Sequence, residues 1–187
     1  AASRRRRPVV VAPVVDVDAL RDGLHAGRGR IALRGNCARF ARRPRFRRRA
    51  GADPTVFPIV GDDISDLRSQ ISNAVKSSDI LITTGGVSVG KYDLTKLALE
   101  QLGAEIFFGK VALKPGKPTV FGKLKKAFVF GLPGNPVSAA VTFHLFVRRL
   151  IGRMQGIANP FLKDGTAVVG ARMKGTRERS SYLPASL

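Results

Sequence analysis

Cysteine is almost absent. The single Cys37 excludes a disulfide within the chain and any cysteine-based zinc site. Histidine is nearly as scarce, and His25 and His144 lie far apart with no ligand cluster around either, which argues against a histidine metal centre. No run of about 18 apolar residues occurs, so no transmembrane helix is expected. The sequence has no GxxxxGK[ST] phosphate loop, no nucleophile elbow, no Ser-His-Asp pattern and no internal repeat. Acidic residues are few: 13 Asp and Glu face 33 Lys and Arg in 187 residues, a net charge of +20. Such a balance first suggests nucleic acid as a partner.

The position of the charge alters that suggestion. Residues 1–50 hold fifteen arginines, no lysine and three aspartates, a net +12. Residues 51–187 carry +8, from mixed Lys, Arg and acids of the kind ordinary globular surfaces use. Pro8 and Pro13 interrupt the one apolar run of the first segment, and the stretch from Leu24 to Pro54 has neither a helical nor an alternating period. Residues 1–52 are therefore expected to be an Arg-rich irregular arm. A basic arm for RNA or an acidic membrane is one functional reading. A transit peptide is another, opposed by Asp16, Asp18 and Asp22 and by the near absence of serine.

From residue 55 the pattern becomes regular. Residues 56–60 and 79–83 read as buried strands, and an Asp after the first can cap a helix carrying Ile64, Leu67, Ile71, Ala74 and Val75 on one face. A second helix is expected over 94–102 with Leu94, Leu97, Ala98 and Gln101 as its stripe, then a strand over 105–113. Two short strands come next, around the basic turn 123–126. The longest helix is expected over 136–154, capped by Asn135 and opened by Pro136, with Phe143, Phe146, Val147, Leu150, Ile151 and Met154 buried. Strand–helix alternation implies an α/β layered fold with a mostly parallel sheet. In such folds ligands bind at the carboxyl ends of strands.

Three loops come directly after strands. Residues 83–93 read TTGGVSVGKYD: paired glycines let backbone N–H groups approach an anion, Thr84 and Ser88 add hydroxyls, and Asp93 can hold Mg²⁺ or position a water. A plain glycine-rich turn ending in an Asp cap is the blander reading. Residues 110–118 read KVALKPGKP. On one strand Lys110 and Lys114 share a face, with Lys117 beyond a Pro-Gly turn, and three converging ammonium groups call for an anion. A solvated basic face is the alternative. Residues 132–138 read LPGNPVS, a rigid turn onto a helix N-terminus where Asn135 and Ser138 offer donors beside free N–H groups, or where Asn135 is only a cap. Asp62 and Asp63 lie just past a strand end and can face the same cleft as Asp93. His144, among Phe143, Leu145 and Phe146, reads as structural, and Cys37 has no base identifiable near it.

The segments SDILITTGGVSVGKYDLTK, FGKVALKPGKPTVFGK and FGLPGNPVSAAVTFHLFVRRLIGRMQG, in this order and spacing, closely resemble the molybdopterin-binding domain of molybdenum insertases. These are the bacterial molybdopterin molybdenumtransferases and the matching domain of gephyrin and its plant counterparts. The resemblance covers residues 55–157. It implies a three-layer α/β domain that binds adenylylated molybdopterin and molybdate, hydrolyses the adenylate with a divalent cation, Mg²⁺, and transfers molybdenum to the dithiolene. Carried over by position, Thr84, Gly85, Gly86 and Ser88 cradle phosphate or adenylate, and Lys110, Lys114 and Lys117 lie near the oxyanion. Pro133, Gly134, Asn135, Pro136 and Ser138 shape the pocket, and Asp62 and Asp93 are the catalytic and metal-binding acids. A cytoplasmic homo-oligomer without specific nucleic acid is implied as well.

The resemblance divides the chain into the arm 1–52, a molybdopterin-binding domain over 53–158, and the opening of a C-terminal β domain over 159–187. The family's TGDEL-like turn and Asp-(Thr/Ser)-Asn-Arg motif are absent from residues 1–50, which leaves the first strand and helix of the sheet in doubt. An Arg-only composition is what a GC-rich alternative reading frame gives, and codons allowed for residues 34–40, read one base later, spell Glu-Ala-Ile-Ala-Arg-Asp-Ser. Residues 1–52 are thus expected to be frame-shifted or disordered, and the chain a fragment. A molybdopterin adenylyltransferase and a non-catalytic molybdopterin-binding scaffold are the rival functions.

Overall fold

The computed structural model describes residues 52–57, 63–85, 94–161, 165–166 and 178–183, and the backbone alone at 10–11, 29–33 and Pro54. Its central sheet has six strands. In chain order they are β2 (Gly29–Leu33), β3 (Ala52–Val56), β4 (Ile80–Thr84), β5 (Glu105–Phe108), β7 (Val120–Leu124) and β8 (Ala127–Leu132). Among the described residues there are also two-residue pairs: β1 (Val10–Val11) with β9 (Gly165–Thr166), and β6 (Leu113–Lys114) with β10 (Ser180–Ser181). The sheet order is β3-β2-β4-β8-β7-β5. The pairings β3–β2, β2–β4 and β4–β8 are parallel, and β8–β7 and β7–β5 antiparallel. The sheet is thus parallel on one side, with an antiparallel margin on the other.

Among the described residues the helices are α1 (Ile64–Ser77), α2 (Leu94–Gln101), α3 (Pro136–Thr142) and α4 (Arg148–Met154), the last two joined by a π-turn over Phe143–Val147. Alternate strand residues feed two cores. Ile80, Ile82, Phe130 and Leu132 pack with Ala139, Phe143, Val147 and Ile151 from the long helix. Leu81, Val129 and Leu124 pack on the other face with Leu67, Ile71, Ala98 and Leu99 from α1 and α2. The result is three layers, helix on sheet on helix. Asp63 caps α1, its carboxylate accepting from the Asp66 N–H at 2.8 Å, as a short acidic side chain at a helix start is disposed to do.

Several expectations change. Gly29–Leu33, read as part of an irregular arm, is an internal strand between β3 and β4, so the sheet does not lack a strand at that position. A strand adjoining the one expected at 56–60 is found at Ala52–Val56, on the sheet margin, where a proline such as Pro54 is tolerated; residues 58–60 lie outside the described residues. The strand expected over 105–113 is two pieces, because the chain bends at Gly109. The α2 stripe is displaced: Thr95, Ala98 and Leu99 are buried, whereas Leu97 is 45% exposed and Gln101 faces solvent. Met154, expected in the core, is 46% exposed. It is the last residue of α4, beyond Ile151, which is buried, and within the π-turn Leu145 joins the buried set.

Candidate functional site

β4 and β8 run side by side and end in register, Thr84 opposite Leu132. Both therefore deliver their loops to the same edge of the sheet. The junction is made of backbone. The Gly85 N–H donates to the Leu132 carbonyl at 3.2 Å, and the Gly85 carbonyl accepts from Thr95 Oγ1 at 3.2 Å, in the first turn of α2. Gly85 has φ +88°, a conformation that favours glycine. A Cβ on Gly134 would lie 3.3 Å from the Gly85 Cα, so the two glycines let the first and third loops touch main chain to main chain. Pro133 is buried beneath this contact.

The third loop enters α3 through Asn135. Its Oδ1 accepts from the N–H groups of Val137 (3.0 Å) and Ser138 (3.2 Å) and from the Ser138 hydroxyl (3.4 Å), while its carbonyl takes the Ala139 N–H at 2.9 Å. Pro136 has no N–H to offer. The expected free N–H groups at this helix start are thus already engaged, and the capping reading of Asn135 describes its oxygen. What it leaves toward solvent is the exposed amide end of Asn135 and the positive end of the helix dipole. Ser138, 8% exposed, belongs to the cap.

The second loop reaches the same edge because β5 runs in the direction of β8, with β7 antiparallel between them. Lys110, Lys114 and Lys117 are all exposed. Lys110 lies just past the bend at Gly109, outside β5, and Lys114 closes the separate strand β6, so the same-face spacing argument for these two lysines does not apply. The loop is held from within by Thr119, whose buried hydroxyl donates to the Gly116 carbonyl at 2.7 Å, and by the Val111 N–H on the Lys117 carbonyl at 3.0 Å. Gly116, φ +124°, sits so close to α3 that an added Cβ would lie 2.6 Å from Thr142 Cγ2. Thr142 is fully buried and donates to the Ser138 carbonyl at 2.8 Å. The helix that begins at the third loop is therefore the surface on which the second loop rests.

Gly86, Ser88, Asp62 and Asp93 lie outside the described residues, as do Cys37 and His25. Among the described residues no group of three His, Cys, Asp or Glu is placed to hold a metal ion. His144 sits in the π-turn, edge-on to Phe143, with Nδ1 buried and unpartnered among the described residues. Burial, and then the Arg148 charge, push its pKa down to about 4, so it is neutral at physiological pH. The threonines that fasten the loops, Thr95, Thr119 and Thr142, are not visible as site residues in the sequence. The signal at Thr119 and Thr142 is a hydroxyl between apolar neighbours, and Thr95, followed by Lys96, lacks even that.

Three loops thus leave one carboxyl edge of the sheet, the first and third in main-chain contact and the second carrying the exposed Lys110, Lys114 and Lys117. That defines the class: a layered α/β domain of the kind in which ligands bind at the carboxyl ends of strands. The chain belongs to the family described as "Probable molybdopterin binding domain", which matches residues 45–153. It is 48% identical over 98 residues to molybdopterin molybdenumtransferase of Haemophilus influenzae, covering 52% of this chain and 24% of that protein. It is 41% identical over 114 residues to gephyrin of Dictyostelium discoideum, covering 52% and 16%. The crystal structure of a molybdopterin biosynthesis moeA protein from Pyrococcus horikoshii superposes with a TM-score of 0.60 at 26% identity, covering 71% of this chain and 37% of that one. The chain spans 24% of the length of the Haemophilus protein and 26% of its Nostoc counterpart.

Proposed function

We propose that the chain is the molybdopterin-binding domain of a molybdenum insertase, taking adenylylated molybdopterin and molybdate and passing molybdenum to the dithiolene. The observation that carries this reading is the main-chain junction of Gly85 with Leu132 and Gly134, which joins two of the three motif loops at the strand ends. Thr84, Gly85, Gly86 and Ser88 bind phosphate or adenylate. Pro133, Gly134, Asn135, Pro136 and Ser138 form the wall against which the pterin is oriented. Lys110, Lys114 and Lys117 neutralise molybdate and the charge that develops on phosphate. In the hydrolytic step water attacks the adenylate phosphorus, the P–O bond to the molybdopterin phosphate breaks with that phosphate as leaving group, and adenosine monophosphate carrying the water oxygen is released, with Asp93 and Asp62 the proposed carboxylates that take the water's proton. A divalent cation, Mg²⁺, would offset phosphate charge, with the same two aspartates as its proposed ligands. Action in the cytoplasm and homo-oligomeric assembly belong to the same proposal.

Calorimetric titration of the folded chain with adenylylated molybdopterin tests it. Binding is expected, with Asp93→Ala lowering adenylate cleavage by roughly 10²-fold or more. No binding by folded protein, together with wild-type behaviour of Asp93→Ala, overturns the reading. Binding with no cleavage by the unmodified chain, in the presence of molybdate and Mg²⁺, favours the non-catalytic scaffold.

A further inference from the structure

The two limbs of the 110–118 loop are fastened by different parts of the chain. The limb after the turn is held by the domain itself, through Thr119 on the Gly116 carbonyl, the Thr119 N–H on the Lys117 carbonyl and Gly116 against Thr142, while the Val111 N–H on the Lys117 carbonyl ties the start of the first limb to it. The limb before the turn, β6, has one strand neighbour among the described residues, and that is β10 from the far end of the sequence. The Ser180 N–H donates to the Ala112 carbonyl at 2.9 Å and the Tyr182 N–H to the Lys114 carbonyl at 2.7 Å, with Ser181 in parallel register with Lys114.

We infer that the segment 179–182 is a positioning element of the anion site, setting the placement of Lys114 while leaving Lys117 to the domain. A two-residue strand cannot hold its own conformation, because each ordered residue costs about 1–2 kcal/mol of backbone entropy and a lone pairing returns little against it. Between the Val111 N–H on the Lys117 carbonyl and the turn, the main chain of this limb is held by the two hydrogen bonds from the segment, one on the Ala112 carbonyl and one on the Lys114 carbonyl. A lysine on a mobile main chain loses its directed interaction with an oxyanion, since its long side chain must then be ordered together with the backbone on binding. The segment acts through backbone N–H groups, so the identities of Ser180 and Tyr182 matter less than the donors they carry.

The inference rests on the proposed oxyanion role of the lysines, and the experiment separates the two. Molybdate is titrated into the full chain by calorimetry, and into the Lys114→Ala, Lys117→Ala and Tyr182→Pro variants and their pairwise combinations. Proline removes the Tyr182 N–H, and the preceding strand conformation accepts it. Tyr182→Ala keeps the N–H and serves as the control. The inference expects Tyr182→Pro to weaken molybdate roughly tenfold, the loss attached to one well-placed charged contact. Tyr182→Ala should stay near wild type. Tyr182→Pro and Lys114→Ala should be non-additive, the double variant no weaker than Lys114→Ala alone, whereas Tyr182→Pro and Lys117→Ala should multiply. A merely structural lesion would weaken both lysine backgrounds alike, and thermal unfolding of each variant shows whether the domain is intact. Lys114→Ala and Lys117→Ala both binding as wild type overturns the oxyanion reading and this inference with it. Weakening by both lysine variants, with Tyr182→Pro at wild-type affinity or equally additive with each, overturns the inference alone. If Tyr182→Pro does not fold, Ser180→Pro, which removes the other N–H, is read against the same criteria.

Discussion

His144 shows how a single residue's chemistry depends on its surroundings. In the chain it is one of two histidines; in the fold its ring is buried beside Phe143 and near the Arg148 guanidinium, and both surroundings disfavour its protonated form. A histidine with a folded pKa near 4 and an unfolded value of 6.5 binds fewer protons in the native state over that interval. The stability it permits is full above pH 6.5, falls as pH drops toward 4, and changes little further below. The loss is of order 3 kcal/mol at most, taking about 1.4 kcal/mol per pH unit. Urea unfolding at pH 7 and pH 4.5 should therefore show a larger acid loss for wild type than for His144→Leu. Equal losses in the two proteins would place the acid sensitivity elsewhere. Two further single-residue features, Gly85 against Gly134 and Gly116 against Thr142, turn spacing in the sequence into contact between loops.

At the scale of elements, helical periodicity gave the existence of α1, α2 and the long helix, but not always the buried face. Of the α1 stripe, Leu67, Ile71, Ala74 and Val75 are buried as their spacing indicates, and Ile64 at the first turn is half-buried. For α2 the pattern LTKLALEQ carries apolar residues around most of the helix, and contact with the sheet selects Leu99, 1% exposed, over Leu97, 45% exposed. Leu99→Ala is thus expected to cost about 2–5 kcal/mol, against about 0.5 kcal/mol or less for Leu97→Ala, by chemical denaturation. Comparable losses at the two positions would return the helix to the phase read from sequence. The strand pair around Lys125 and Lys126 was legible because a basic turn between two apolar runs has few alternatives, and Lys125 takes the left-handed conformation there, φ +56°. The break at Gly109 was not, because a glycine within an apolar run is equally compatible with a continuous strand.

At the scale of the whole molecule, the charge of +20 separates into parts of different kind. The +8 portion contains the rim lysines of the candidate site, and the +12 portion includes Gly29–Leu33, which pairs with β3 on one side and β4 on the other. Removing residues 1–28 should leave cooperative thermal unfolding in place. Extending the deletion through Leu33 should abolish it or lower the midpoint sharply, because β3 then has no neighbour and Ile80 and Ile82 lose the strand beside them. An unchanged transition after the longer deletion would show that this strand contributes nothing to the domain. Among the described residues no helix is long and apolar enough to cross a membrane.

The amino-acid sequence by itself determined the α/β class and the identity of the three loops, because period, caps and glycine spacing are local properties. It also determined the family, because the motifs occur in register. Only the tertiary structure decided which strands pair in parallel, that residues 29–33 enter the sheet, and that the first-turn donors of α3 are consumed by Asn135. It also decided that the far segment 179–182 lies against the lysine loop. These are relations between residues distant in the chain: Gly85 with Leu132, Gly116 with Thr142, Tyr182 with Lys114. No local pattern encodes them, since each depends on how the strands and helices pack once they have formed.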